Sequence, residues 1–264
     1  MSLPIMTRDL AYKLDMLDAY YVEARMSGIE DQDIEIKRLG NSLVLMAKHI
    51  LIDQFNSIRG FTIEDEPFLN DMLNLYVRND IKVRLDILPS ELNSEIATTL
   101  NEHQIIQKGF HTVFYRECTK LEDSIGSKVK VRKILKDELD MFLTTYLKGF
   151  GIPESFLDRA KEQRKFWTDV PEFHLYMAML DDVPVGASVL YIRDEIGYLA
   201  GASTLVEYRG IGCQQQQLVK RMNDAADLGC RLLTTQAQFH STSQRNMQRN
   251  GFQIAFTKGI WGMK

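Results

Sequence analysis

Cysteine is scarce in this chain of 264 residues: Cys118, Cys213 and Cys230 form an odd, widely spaced set. They show no Cys-x-x-Cys spacing and the five histidines are scattered, so neither a zinc site nor a disulfide framework is predicted. A reducing cytoplasm is the simplest setting for such a set. A basic excess is also missing. The formal net charge is −4, which argues against a general nucleic-acid binder, because that function needs a basic face. No apolar run approaches the roughly 20 residues that span a bilayer. The opening residues, Met1-Ser-Leu-Pro-Ile-Met-Thr-Arg-Asp9, lack the basic-then-apolar order of a signal peptide. The expectation is a cytoplasmic protein with no metal and with neither nucleic acid nor membrane as a partner. What the chain does have is 45% hydrophobic and 26% charged residues, the balance of a globular protein with a real core. Its length favours two ordinary domains.

In the first half, Leu10, Leu14, Leu17 and Tyr21 recur at helical spacing, with Thr7 as N-cap and Gly28 as stop. Ile34–Leu39 alternates like a half-buried strand, and Gly40-Asn41 turns it into a second strand, Ser42–Lys48. Asp53–Arg59 reads as a further strand closed by Gly60. A helix through Phe68, Met72, Leu75 and Tyr76 follows, then a strand over Val83–Ile87. Another helix is predicted from Pro89 to about Gln107, and a strand from Gly109 through Tyr115. The segment Glu117–Lys128 is polar, carries a glycine and lacks periodicity, which marks a linker.

In the second half, Val129–Leu135 reads as a strand, and Lys136–Leu147 and Pro153–Arg164 as helices. Strands over Phe173–Leu180 and Val183–Ile192 follow, turned by Asp181-Asp182. Asp194 turns the chain again into Ile196–Ser203. This antiparallel meander delivers the most informative stretch, Thr204-Leu-Val-Glu-Tyr-Arg-Gly-Ile-Gly212, which leads into a helix ending at Leu228 with Leu218, Met222, Ala225 and Ala226 on its apolar stripe. Gly210 and Gly212 bracket the strand-to-helix turn, where glycine permits a tight bend and leaves no Cβ between a ligand and the amides. The first amides of a helix lack internal partners and lie at its positive end, so the stretch is an anion site of the kind that holds phosphate. The tract Gln214–Gln217 reads as a polar helix face. A strand over Arg231–Gln236, a short helix capped by Ser241 or Ser243, and a closing strand from Gly251-Phe252 complete the chain. Gly-Phe-x-x-x-Phe occurs after a helix at Gly109 and again at Gly251, and with the matching element order it suggests two diverged copies of one fold. Ser57-Ile-Arg-Gly-Phe-Thr62 has a single glycine, and the acids Glu64, Asp65 and Glu66 follow it. The first copy is therefore predicted to have lost its phosphate loop.

The loop, its helix, Thr234-Thr-Gln236, Ser241-Thr-Ser-Gln-Arg-Asn246 and Gly251-Phe252 together resemble the GNAT superfamily of acyl-CoA-dependent N-acyltransferases, over roughly Val129 to Lys264. Arg209 and Gly212 match the family's Arg/Gln-x-x-Gly-x-Gly/Ala pattern, while Gln214 departs from its last small position. The resemblance implies an α+β fold, with a mixed, mostly antiparallel sheet flanked by helices. It places a GNAT domain at 129–264, a linker at 118–128, and a degenerate GNAT-like domain without phosphate loop at 1–117. It also implies transfer of an acetyl group from acetyl-CoA directly to an amine on a small molecule or peptide. The amides of Gly210, Ile211, Gly212, Cys213, Gln214 and Gln215, with Arg209, would hold the pyrophosphate. The main chain at Thr204, Leu205 and Val206 would pair with the pantetheine arm, and the Val206 amide would polarise the thioester carbonyl. Asn246 would hydrogen-bond the cofactor. Glu195 and Glu207, with Asp194 beside them, are the nearby acids from which a general base could come. The family's usual acid, a tyrosine four residues before the terminal glycine, is replaced by Met247, which cannot donate a proton; Ser243, a water or Tyr198 are the alternatives. Arg245 and Arg249 read as a phosphate contact or a solvated face, and Phe150, Phe166 and Trp167 as core or as an acceptor pocket. Cys213 at a helix start has no base partner to make it a nucleophile. With the tyrosine absent, a non-catalytic acyl-CoA-binding regulatory module is the alternative to an enzyme.

Overall fold

A computed structural model describes residues 3–50, 52–121 and 127–264. Along the chain the elements are α1 (Arg8–Ser27), β1 (Ile34–Leu39), β2 (Ser42–Ala47), β3 (Ser57–Arg59), α2 (Glu66–Arg78), β4 (Arg84–Ile87), α3 (Ser94–Glu102) and β5 (Ile105–Glu117). They continue with β6 (Val129–Lys133), α4 (Leu139–Gly149), α5 (Leu157–Glu162), β7 (Phe173–Leu180), β8 (Val183–Arg193), β9 (Ile196–Thr204), α6 (Cys213–Asp227), β10 (Leu232–Gln238), α7 (Thr242–Arg249) and β11 (Gln253–Met263). The protein is α+β, as expected.

Local signals place most of these elements. The Thr7 hydroxyl accepts from the Leu10 amide at 3.2 Å and starts α1, and Ser241 does the same for α7 through Gln244. Two expectations change. Asp53–Arg59 is a turn of 3-10 helix over Asp53–Phe55 followed by a three-residue strand. The helix expected from Pro89 to Gln107 is only α3, entered through Asn93, whose side chain accepts from the Ile96 amide. Gln104 takes a φ of 58°, and β5 begins at once because Ile105 pairs with Met263. That partner lies more than 150 residues away, beyond the reach of local periodicity.

Two compact units form, and they do not follow chain order: Pro4–Tyr115 associates with Gln236–Lys264, while Arg116–Thr235 makes the other. The division expected at 118–128 thus meets a different partition. Its physical basis is β11, which pairs antiparallel with both β4 and β5 and so completes the first half's sheet. Of the expected linker, residues 122–126 lie outside the described residues.

In the first of these units the strand order is β1-β2-β3-β4-β11-β5, with β3–β4 parallel. Leu69, Met72, Leu73 and Tyr76 of α2 pack against Val44, Ile58 and Leu85 on one face. The start of α2 is filled by the chain itself. Asp65 accepts from the Asn41 amide at 2.8 Å, the Ser42 hydroxyl at 2.9 Å and the Thr62 amide at 3.1 Å. A carboxylate therefore sits where an anion would otherwise be drawn to the helix entry. This unit also buries a charge cluster. Arg59 donates to Asp18 and Asp86 at 2.7 Å each, and Lys258 reaches Asp15 at 2.6 Å and Asp86 at 2.9 Å.

Candidate functional site

The site lies in the unit Arg116–Thr235, whose strands run β10-β9-β8-β7-β6. Two-residue turns connect β7 to β8 and β8 to β9. Asp181 and Asp182 have φ of 47° and 66°, and Asp194 and Glu195 have 49° and 61°. Positive φ at both central residues suits the right-handed twist of a hairpin, and aspartate tolerates it better than most residues. Between β8 and β9 the register jumps. Ser188 opposes Ala202, but the next pair is Leu190 with Leu199, so Ala200 and Gly201 together face Val189 in a β-bulge.

On its other side β9 pairs in parallel with β10 only along Ile196–Tyr198, opposite Leu232–Thr234. The Thr235 hydroxyl makes a last tie, donating to the Leu199 carbonyl at 2.9 Å. From Ala200 to Thr204, among the described residues, the strand pairs with β8 alone, so one edge of its backbone is open. An open edge accepts another extended chain by backbone pairing.

The open edge leads to the loop. Leu205 donates its amide to the Val185 carbonyl at 3.0 Å, and Val206–Tyr208 then form a single 3-10 turn. Gly210 and Gly212 have φ of 87° and 84°. A Cβ on either would meet nothing within 4 Å, so glycine is required by the backbone conformation, and the space in front is clear. Gly212 caps α6 without any side-chain hydrogen bond, and no acidic residue stands in the first turn. The intrahelical ladder starts with Gln216 donating to the Gly212 carbonyl. The amides of Gly212, Cys213 and Gln214 precede it at the helix's positive end, in contrast to the occupied start of α2.

Two buried polar side chains brace this arrangement from beneath, and sequence periodicity missed both. Gln217 has no solvent exposure, so the glutamine tract is not wholly a solvated face. Its Nε2 donates to the Ser203 carbonyl at 3.1 Å and to Cys213 Sγ at 3.4 Å. Gly186 on β8 makes room, since a Cβ there would lie 2.8 Å from Gln217 Nε2. One turn on, the buried Arg221 donates through Nε to the Gln217 carbonyl at 3.1 Å, and through Nη1 to the Val189 carbonyl at 3.0 Å and the Ala200 carbonyl at 3.4 Å. Both of the last two belong to the bulge. The available signal was the i, i+4 spacing of Gln217 and Arg221 beside the Leu218–Met222 stripe.

The other expected site residues sort by position. Val206 opens the 3-10 turn and its carbonyl accepts from the Arg209 amide at 3.3 Å. It is outside the strand, which ends at Thr204, so the strand-like pairing assigned to Val206 has no strand there to extend. Glu195 lies in the turn at the opposite end of β9, paired with Arg231 at 3.1 Å. Nine residue steps at about 3.3 Å each put it ~30 Å from Thr204 along the strand, too far to serve as a base there. Glu207 is exposed beside the loop. Burial pushes the Cys213 thiol up, against a role as thiolate. Tyr198 is buried in the paired part of β9. Ser243, Asn246 and Met247 lie on α7, in the other unit. Met247 is buried there, the packing role usual for methionine, while Arg245 bonds locally to Thr242 and the His240 carbonyl. Trp167 and Phe173 are buried and pack edge to face, whereas Phe150 stays half exposed. No helix among the described residues is long and apolar enough to cross a membrane.

No protein-family model matches the chain, and no curated protein matches it either. Solved structures do. A GCN5-related N-acetyltransferase from Kribbella flavida superposes with a TM-score of 0.65 at 15% identity, covering 93% of this chain and 95% of that one. A tandem GNAT protein from the clavulanic acid biosynthesis pathway gives 0.61 at 12%, with coverage of 96% and 92%. A conserved protein of unknown function from Staphylococcus epidermidis gives 0.62 at 14%, with coverage of 90% and 98%.

Proposed function

We propose that this chain, whose fold is that of the GNAT acetyltransferases, is an N-acetyltransferase that takes acetyl from acetyl-CoA to an amine. The observation that carries the reading is one continuous surface. The open edge of β9 runs into a loop whose two left-handed glycines present the free end of α6. An acyl-CoA has matching chemistry in the same order: an amide-bearing arm to extend a sheet, then a pyrophosphate for a helix N-terminus. Amides of Gly210 to Gln215 hold the pyrophosphate, with Arg209 beside them. The arm pairs along Thr204 toward Leu199, and an amide near the bulge takes over the carbonyl-polarising part first assigned to Val206. The acceptor is a small-molecule or peptide amine, which must reach the thioester carbon unprotonated. The similar structures support the ligand class: one is a named N-acetyltransferase, and the tandem GNAT protein was solved without AcCoA.

Titration with acetyl-CoA tests the site. Gly212→Val forces a β-branched residue to a φ of 84°, a strain of about 1–2 kcal/mol, and turns the amides away from the phosphate. Affinity is expected to fall about tenfold or more while thermal unfolding of the free protein shifts by only a few degrees. Equal affinity in the variant refutes the placement.

The buried Met247 favours a second reading, a non-catalytic acyl-CoA-binding regulatory module. Free CoA released with a panel of amines, against a hydrolysis control, separates the two. Turnover above the control eliminates the module.

A further inference from the structure

With Met247 buried, the departing thiolate lacks its customary donor, and the Tyr146 hydroxyl stands at the bulge. Tyr146 lies on α4, which packs on the face of the sheet carrying Ser203; the Ser203 hydroxyl donates to the Tyr146 carbonyl at 3.0 Å. Its ring is fixed on three sides. Phe142 stacks at 5.5 Å, and Trp167 and Phe150 meet it edge-on at 5.7 and 4.9 Å. The phenol oxygen then falls against Gly201, so closely that a Cβ on Gly201 would overlap it. Glycine here brings a hydroxyl up to the strand backbone, where any other residue would hold it off. Among the described residues no group accepts a hydrogen bond from this hydroxyl. Phe142 and Phe150 offer no acceptor and the Trp167 indole only a donor, so the phenol's own donor is left for something outside the chain.

The placement along β9 identifies that acceptor. Strand pairing uses every second residue on one edge. A pantetheine arm carries two amides. Entering from the loop, it satisfies them near Thr204 and Ala202, which leaves its thioester level with Gly201 and Ala200. We propose that Tyr146 donates the proton to the departing sulfur. The inference rests on the acyl-CoA reading above. The amine nitrogen attacks the thioester carbon and the C–N bond forms. The C–S bond breaks with its electron pair on sulfur, and the phenol proton passes to it. The phenolate regains a proton from the ammonium nitrogen of the intermediate, so amine plus thioester gives amide plus thiol, and nothing else is consumed.

The test needs no acceptor. A hydroxyl that donates to sulfur stabilises the bound thiolate, so the thiol of bound CoA ionises at lower pH in the native protein than in Tyr146→Phe. Ultraviolet titration of the CoA complex, minus the desulfo-CoA complex, isolates the thiolate from protein phenols. The expected shift is about one pH unit or more, with the dissociation constant for desulfo-CoA changed less than about threefold. Gly201→Ala, which displaces the hydroxyl, is expected to shift it the same way. Ionisation at the same pH in native and Tyr146→Phe proteins overturns the proposal. If the native protein binds neither CoA nor desulfo-CoA, the acyl-CoA reading itself fails, and the role of Tyr146 with it.

Discussion

Asp86→Asn is expected to destabilise the unit built from Pro4–Tyr115 and Gln236–Lys264 by about 3–5 kcal/mol, the usual cost of removing one partner from a buried ion group. Asp86 has no exposure and is contacted by three cations. Arg59 and Lys258 reach one of its oxygens at 2.7 and 2.9 Å, and Arg84 reaches the other at 2.7 Å. Burial by itself would raise the Asp86 carboxyl, but Arg59, Lys258 and Arg84 hold it well below the usual carboxylate range. Burial would likewise lower the Lys258 ammonium, but Asp15, Asp86 and Asp18 raise it instead. The asparagine fits the space but leaves two buried cations short of negative charge. Hydrogen exchange in α1, β4 and β11, read with urea unfolding, measures the loss; a change below about 1 kcal/mol would show that the cluster is not the anchor of this unit. Replacing the pair Lys258 and Asp15 together by Met and Leu should cost less than Lys258→Met alone, because no charge is then left uncompensated.

The pH dependence has a definite sign. A depressed folded value means the unfolded chain binds the proton first on acidification. The Asp86 contribution is complete above the unfolded value of about 4 and is lost progressively as the pH falls through the lower folded value. The stability gap between native and Asp86→Asn proteins should therefore be constant near neutrality and narrow in acid.

Arg221→Met is expected to have the next largest effect, about 2–4 kcal/mol, since each buried carbonyl left without a donor costs about 1–3 kcal/mol. The damage should be local as well as global. With the Val189 and Ala200 carbonyls released, the bulge loses its brace, and exchange at Leu199–Gly201 should rise more than in the paired segment Ile196–Tyr198. Acetyl-CoA affinity should fall with it, although Arg221 lies beneath the strand. Arg221→Lys serves as the comparison: it keeps the charge but not the rigid fork of donors, so it should recover only part of the loss. Unchanged stability and exchange in Arg221→Met would remove this residue from the site's support.

The helices α1 and α6, the three strands of the meander and the glycine loop were legible in the amino-acid order because each depends on neighbours in sequence. Thr7 caps its own helix, paired aspartates turn their own hairpins, and Gly210 and Gly212 take conformations that other residues resist. The family pattern around Arg209 and Gly212 added the GNAT fold, which the similar solved structures bear out. Distant pairing decided the rest. Nothing local in Gln253–Met263 says that this strand enters the first half's sheet between β4 and β5, yet that choice sets the two units and buries Lys258 among aspartates that precede it by more than 170 residues. Likewise Glu195 and Val206 flank β9 almost symmetrically in sequence, and only the extent of pairing shows which end is open. Gln217 and Arg221 look like solvated helix residues until β8 and β9 above them supply carbonyls to bond. Backbone preference is a property of a residue and its neighbours, whereas burial, charge compensation and the reach of a hydroxyl such as that of Tyr146 depend on what the folded chain brings against them.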